Sequence, residues 1–414
     1  DGSTLEPYIS KAAEELGLKD DFFNNQSLLE NHQISASELI DDNQNDLFTK
    51  IFQLTKQLRF GEIYRSELQS QKGLRMAINL SVTHVQLDDS GQKVSSIKCK
   101  TLSGKEVTVK ADTFVLAAHA IENARVLLNS NDILDRGVGN QNDHVGRYFM
   151  DHVHIEASKL IPSEKFPYVY DREVLRAMRL NANISFTDDY LRQKSMLQYY
   201  CRFLPIYTDD QVVDSMKRIS AGVQKPFSNE LYQDVKNILN DLDGATDQVA
   251  SRFRLSQPKP KYFLLDQRIE QAPNPNSRVV ISNERDALGV PVANLEWNLN
   301  EHDYRTLQMG QEKIVRELSA RGAGRFIVEK LTPELVDDRA MGHYHHIGTT
   351  RMSADPQQGV VDSNLKVHGV SNLYIAGSSV FPTAGYSGPT MMIVAMSMRL
   401  AEHIANNASR RLDS

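Results

Sequence analysis

Disulfides, membrane spans and dense positive charge are all missing from this chain. Only two of its 414 residues, Cys99 and Cys201, are cysteines. They lie far apart and form no CxxC pair, so no disulfide framework is available and a reducing, cytoplasmic compartment is expected. No apolar run approaches the ~20 residues that cross a bilayer. The formal net charge is −6 and Lys and Arg form no dense run, which argues against nucleic acid as the main partner. No internal repeat or low-complexity segment is evident. An initiating methionine and a signal peptide are absent too. The chain opens at Asp1 and runs into "LEPYISKAAEELGL", where Leu5, Ile9, Ala12, Ala13 and Leu16 share one side of an amphipathic helix. The expectation is a chain that starts mid-protein, as a fragment or a processed piece.

What remains is ordinary for a globular protein, with 40% apolar and 24% charged residues and enough length for two domains. Residues 26–50 are rich in Asn, Asp and Gln and read as loop or short helices. "LFTKIFQLTKQL" places Leu47, Ile51, Leu54 and Leu58 three or four apart, which predicts a helix. From Leu74 the period drops to two. "SVTHVQL", "VSSIKCKTL" and "EVTVKA", separated by "DDSGQK" and "SGK", predict a three-stranded antiparallel meander. The apolar strand "TFVLAA" then runs into a helix, "HAIENARVLLNS". A polar helical region follows around 208–252, and a strand pair around the turn "NERDALG". Near the end, "NLYIAGSS" is a strand closing on glycine. "PTMMIVAMSMRLAEHIANNA" is a helix with Pro389 where the first helical residue belongs, a place where its missing N–H costs nothing.

The stretch "GHYHHIGTTRMSAD" from Gly342 crowds His343, His345 and His346 together. Three readings compete: a metal site, surface histidines, or a catalytic base. In an extended segment His343 and His345 share a face, but no carboxylate or cysteine lies nearby at zinc-ligand spacing, so no metal is expected. An imidazole, with its ordinary pKa near 6.5, suits proton abstraction at neutral pH.

From "FGEIYRSEL" at Phe60 onward the sequence resembles the glucose–methanol–choline (GMC) family of flavoprotein oxidoreductases, in its bacterial sugar and alcohol dehydrogenase and pyranose oxidase branch. The motifs that carry the resemblance are "VLAAHAIENARVLLNS", "VGRYFMDH", "PNPNSRVVISNERDALG", "HHIGTTRMS" and "GVVDSNLKVHGVSNLYIAGSSVFPTAGYSGPT", in the family's order. The resemblance implies an α/β fold: a doubly wound, Rossmann-like FAD-binding domain and a second α+β substrate domain with an antiparallel sheet. The expected division is an N-terminal helical segment at 1–66, parts of the FAD-binding domain at 67–150 and 354–414, and the substrate domain at 151–353. The family's GxGxxG fingerprint is absent. Its nearest candidates, at Gly137 and Gly322, read as loop glycines, so the first βαβ unit is expected to be lacking.

The implied activity is oxidation of the CH–OH group of a small alcohol or sugar, with FAD as cofactor, hydride transfer to flavin N5 and an unspecified electron acceptor. The family's H-x-x-G-T motif falls on His345, Gly348 and Thr349, which implies His345 as the base. Flavin contact is implied for Tyr344, Ala376, Gly377, Gly388, Pro389 and Thr390, and a backbone adenine contact for Val82. Two departures stand out. Gly388 occupies the position where the family carries Asn or His, the second member of its catalytic pair, which leaves Tyr386, Ser387 or a water for that role. His119 replaces a glycine after "VLAA". The first departure keeps lyase chemistry on the flavin scaffold as an alternative, and the missing fingerprint keeps a non-catalytic, truncated chain as another.

Overall fold

The computed structural model describes residues 2–18, 27, 28, 30, 34, 39, 40, 46–55, 59–170, 179–222, 229–253 and 259–412. Most of the polar stretch 26–45 lies outside the described residues. The first helix, Gly2–Glu15, buries Ala12 and Ala13, with Leu16 just beyond. Tyr8 Oη donates to Glu402 on the last helix at 2.9 Å.

The leucine spacing after residue 46 misleads. Leu47–Gln53 is a strand, β1, not a helix. Leu47, Thr49 and Ile51 point inward at 1%, 3% and 2% exposure, whereas Leu54 is 46% exposed. The period of two was hidden because Thr49 counts as polar. Inside the protein its hydroxyl meets Tyr170 Oη, and the β-branched and aromatic residues around it favour extended backbone.

The meander forms as its alternation requires: β2 (Ser81–Leu87), β3 (Val94–Lys100) and β4 (Glu106–Val109) pair antiparallel in sequence order. Val85, Leu87, Val94, Ile97 and Cys99 fill its buried face. Strand β5 (Phe114–Leu116) then feeds the helix His119–Asn129.

A second layer follows. β6 (Val153–Pro162), β7 (Leu180–Phe186), β8 (Tyr199–Ile206) and β9 (Tyr262–Ile269) are long strands. The polar region between β8 and β9 is helical at Asp210–Ser220, Asn229–Asn240 and Leu242–Phe253. The expected strand pair is β10 (Arg278–Arg285) with β11 (Pro291–Glu296), and its turn is shorter than read, because β10 continues through Arg285. After the helix Glu301–Ala320 comes β12 (Gly324–Ile327). Gly324, the second glycine of the stretch at Gly322 that the sequence suggested was loop, therefore opens a strand, and a Cβ there would run into the Ile161 carbonyl. The six-stranded sheet runs β1-β7-β8-β9-β6-β12 and is antiparallel throughout.

The chain then returns to its first layer. β13 (Leu373–Ile375) pairs parallel with β5, matching Leu373 to Phe114 and Ile375 to Leu116. It leads into the helix Thr390–Leu412. Two apolar cores result. One lies under the six-stranded sheet and the helix Glu301–Ala320, and the other holds the meander, β5, β13 and the last helix; Trp297 touches both.

Candidate functional site

The histidine run lies where the two layers meet, and the backbone explains why. The segment 341–347 is zipped onto the lead-in to β6: Met341 exchanges hydrogen bonds with His154, and Ile347 with Met150. Between these points the buried Asp151 carboxylate accepts from Tyr344 N at 3.0 Å and from His345 N at 2.9 Å. Gly342 is needed for this approach, because a Cβ there would sit 2.5 Å from Asp151 Oδ2. Gly348 has φ +92 and faces the Tyr148 carbonyl so closely that no side chain fits. Further on, Ser378 Oγ donates to the His346 carbonyl at 2.6 Å, and Thr350 N to the Ser379 carbonyl at 2.9 Å. The buried Asn123 donates to Ser379 Oγ and accepts from Ala118 N, which ties this turn to the end of β5. These bonds hold His345 beside the carboxyl end of β13.

The His345 ring has two distinct sides. Its Nδ1 lies 2.9 Å from Nδ1 of the buried His152. Its Cε1 and Nε2 face Gly388, at 3.8 and 3.9 Å from where a Cβ would stand. Two ring nitrogens at hydrogen-bond distance share one proton, so the pair has a direction. Burial and the neighbouring His345 push the His152 pKa down to about 4, while the backbone of Ala384 and Gly385 favours a proton on its ring. With Nδ1 turned to His345, the Ala384 and Gly385 backbone favours that proton on Nε2, which is buried and makes no hydrogen bond of good geometry among the described residues. In that tautomer His345 donates from Nδ1, and its unprotonated Nε2 faces Gly388. Burial lowers the His345 pKa, Asp151 opposes this, and His346 adds to it.

The other two histidines do not line the cavity. His343 packs between His345 and His154, with ring centroids 5.2 and 5.6 Å away, and burial beside those two rings lowers its pKa to about 4. His346 packs on Phe149 at 5.3 Å, and burial lowers its pKa as well. Among the described residues, no group of three or more His, Cys, Asp or Glu side chains is arranged to hold a metal ion.

His345 lines a cavity of 390 Å³ between the six-stranded sheet and the loop before the last helix. Phe52 of β1, Tyr200 of β8 and Tyr386 form an aromatic wall, with centroids 5.3 to 5.9 Å apart. Gly388 and Thr390 line the cavity as well. Of the residues singled out in the sequence, His345, Gly388 and Thr390 therefore share one cavity. Tyr344 is 89% exposed beside it, with φ +59. Ala376 and Gly377 directly follow β13; Gly377 has φ +108, and nothing stands within 4 Å of where its Cβ would be. Pro389 directly precedes the 23-residue last helix. Val82 lies on β2, 38% exposed, and is not among the residues lining the cavity. Sequence reasoning passed over Asp151 and His152, although both lie in the quoted "VGRYFMDH". It also passed over Lys50, Arg202 and Arg268 on the cavity wall, which carry no local signal.

Two family profiles, both described as GMC oxidoreductase, match residues 63–154 and 273–397. The chain is 25% identical over 353 residues to the fructose dehydrogenase large subunit of Gluconobacter japonicus, covering 84% of this chain and 57% of that one. It is 24% identical over 351 residues to the 6'''-hydroxyparomomycin C oxidase of Streptomyces lividus, covering 83% and 54%. It thus spans little more than half the length of these relatives. Among solved structures, the fold resembles pyridoxine 4-oxidase from Mesorbium loti, with TM-score 0.53, 15% identity, and coverage of 97% of this chain and 70% of that one. It also resembles an FAD-dependent oxidoreductase from Chaetomium thermophilum, with TM-score 0.55, 14% identity, and coverage of 98% and 80%. With two profiles in the family's order across more than half of its residues, and with the parallel pair and antiparallel sheet just described, the chain belongs to the GMC oxidoreductase family and carries its FAD-binding fold.

Proposed function

We propose that the protein bearing this chain is an FAD-dependent oxidoreductase acting on a CH–OH group of an alcohol or sugar, with His345 as the base. The observation that carries this reading is the two-sided His345 ring, bound through Nδ1 to His152 and open at Nε2 toward the cavity. The residues present suit a flavin. Gly377 leaves open space at the carboxyl end of β13, where ligands of such sheets bind, and the first N–H groups of the last helix lie beyond Pro389. Tyr344, Ala376, Gly377, Pro389 and Thr390 would hold it. Bound FAD supplies the acceptor for the carbinol hydrogen.

The chain's own residues supply the proton chemistry. His345 Nε2 takes the hydroxyl proton, and the imidazolium so formed is offset by the Asp151 carboxylate held against its backbone. His152 fixes which nitrogen is free. The sugar-oxidising relatives support a polyhydroxylated substrate.

The test is a pH profile. A base works unprotonated, and the His345 pKa is lowered from 6.5. The kcat/KM for substrate should therefore be flat through neutral pH and fall only on the acid side of 6.5. An acid limb centred above 6.5 would sink His345 as the base.

Gly388 is tested separately. A Cβ at 388 meets His345 at ordinary contact distance, so the backbone tolerates a side chain there. A longer one projects over Nε2. Gly388→Asn should slow turnover by about tenfold or more through displaced substrate. A severalfold gain would show instead that the site lacks a partner it needs.

A further inference from the structure

Part of the cavity wall, on the six-stranded sheet, is positively charged. Lys50 of β1, Arg202 of β8 and Arg268 of β9 line it, and among the described residues no Asp or Glu does. Behind it stands one fully buried carboxylate, Asp266. Arg202 Nε donates to Asp266 Oδ2 at 2.8 Å, and Arg268 donates to both Asp266 oxygens, at 3.3 and 3.2 Å. His154 Nε2 lies 2.6 Å from Asp266 Oδ1. One carboxylate neutralises one guanidinium, and the second is surplus. In each arginine Nη1 has no hydrogen-bond partner among the described residues. Lys50 is held in no ion pair within 4 Å there, and Asp188 is the carboxylate that acts on it. Arg268 is only 7% exposed. A buried cation in excess of its counter-charge is costly unless an anion arrives to meet it.

We propose that this cavity takes a polyhydroxylated oxyanion, a carboxylate or phosphate ester of a sugar or polyol, seated with its anionic end on Arg202, Arg268 and Lys50 and a hydroxyl-bearing carbon toward His345. The assignment rests on the reading of the cavity as the site of alcohol oxidation. Planar guanidinium forks suit both carboxylate and phosphate oxygens, and the Phe52, Tyr200 and Tyr386 rings suit the carbon face of such a chain.

Matched probes test it on the full-length, flavin-loaded protein. D-Gluconate and D-sorbitol differ by a carboxylate, and D-sorbitol 6-phosphate and D-sorbitol by a phosphate. Binding is read from perturbation of the flavin spectrum and from the melting midpoint, and turnover from flavin bleaching without oxygen. At least one anion should bind about tenfold to a hundredfold more tightly than sorbitol. Which anion wins distinguishes the two oxyanion classes. The preference should shrink in Arg268→Gln, and also in Lys50→Gln, which leaves the Asp266 cluster intact if the first variant folds poorly. Anions that bind no better than sorbitol overturn the proposal, as does a preference that survives undiminished in both variants. Bleaching by sorbitol without anion preference would keep the oxidoreductase reading and discard the anion site. Tight anion binding with no bleaching by any alcohol would do the reverse.

Discussion

Replacing His345 with alanine in the complete, flavin-loaded enzyme should slow flavin reduction by substrate by about 10²–10⁴, the usual worth of a positioned general base. The same change at His343 or His346 should do far less. The difference follows from where the three rings face. Of the three only His345 lines the cavity, whereas His343 packs behind it on His345 and His154, and His346 on Phe149. Stopped-flow absorbance of the flavin band measures the step directly and excludes reoxidation. Flavin content should be unchanged in all three variants, since alanine at 345 keeps the backbone N–H that Asp151 accepts. Equal losses at all three positions would mean that the run acts as a structural unit, and the assignment of His345 would fall.

The H-x-x-G-T motif of the family resemblance falls on the one histidine of the run that lines the cavity. Composition and spacing alone left the three histidines equal; the structure adds that Gly348 of the motif lies against the Tyr148 carbonyl, where no side chain fits. The meander and the parallel strands were legible from the residues themselves, since alternation and short apolar runs are set by burial on one face or two. β1 was not. A buried threonine satisfied by a tyrosine hydroxyl from far along the chain looks polar until the fold is known. The rest of the site is long-range in the same way. His152 reaches His345 across 193 residues. Lys50, Arg202 and Arg268 meet only because the sheet order places β1, β8 and β9 around one cavity. No window of sequence contains that arrangement, so neither the orienting histidine nor the charge of the pocket was readable in advance.

His152 supplies the second large effect. His152→Phe keeps an aromatic ring in a buried position but removes the nitrogen paired with His345 Nδ1, the acceptor in the proposed tautomer. The His345 proton is then free to sit on Nε2, where it blocks the base, and the ring loses its fixed orientation. Flavin reduction should slow by about tenfold to a hundredfold, the usual effect of losing a partner that orients an imidazole. The loss should appear in kcat with KM little changed, because His152 is not among the residues lining the cavity. His152→Asn is the control. Its carboxamide oxygen stands close to where Nδ1 stood and accepts the same hydrogen bond, so it should recover most of the rate even though it leaves a small void. A purely structural role predicts the opposite order. Phenylalanine, nearer in volume, would then be the milder change, and asparagine would lower the melting midpoint and the rate together. If the rates follow volume and not the presence of an acceptor, His152 is packing, and the tautomer of His345 is set by something else.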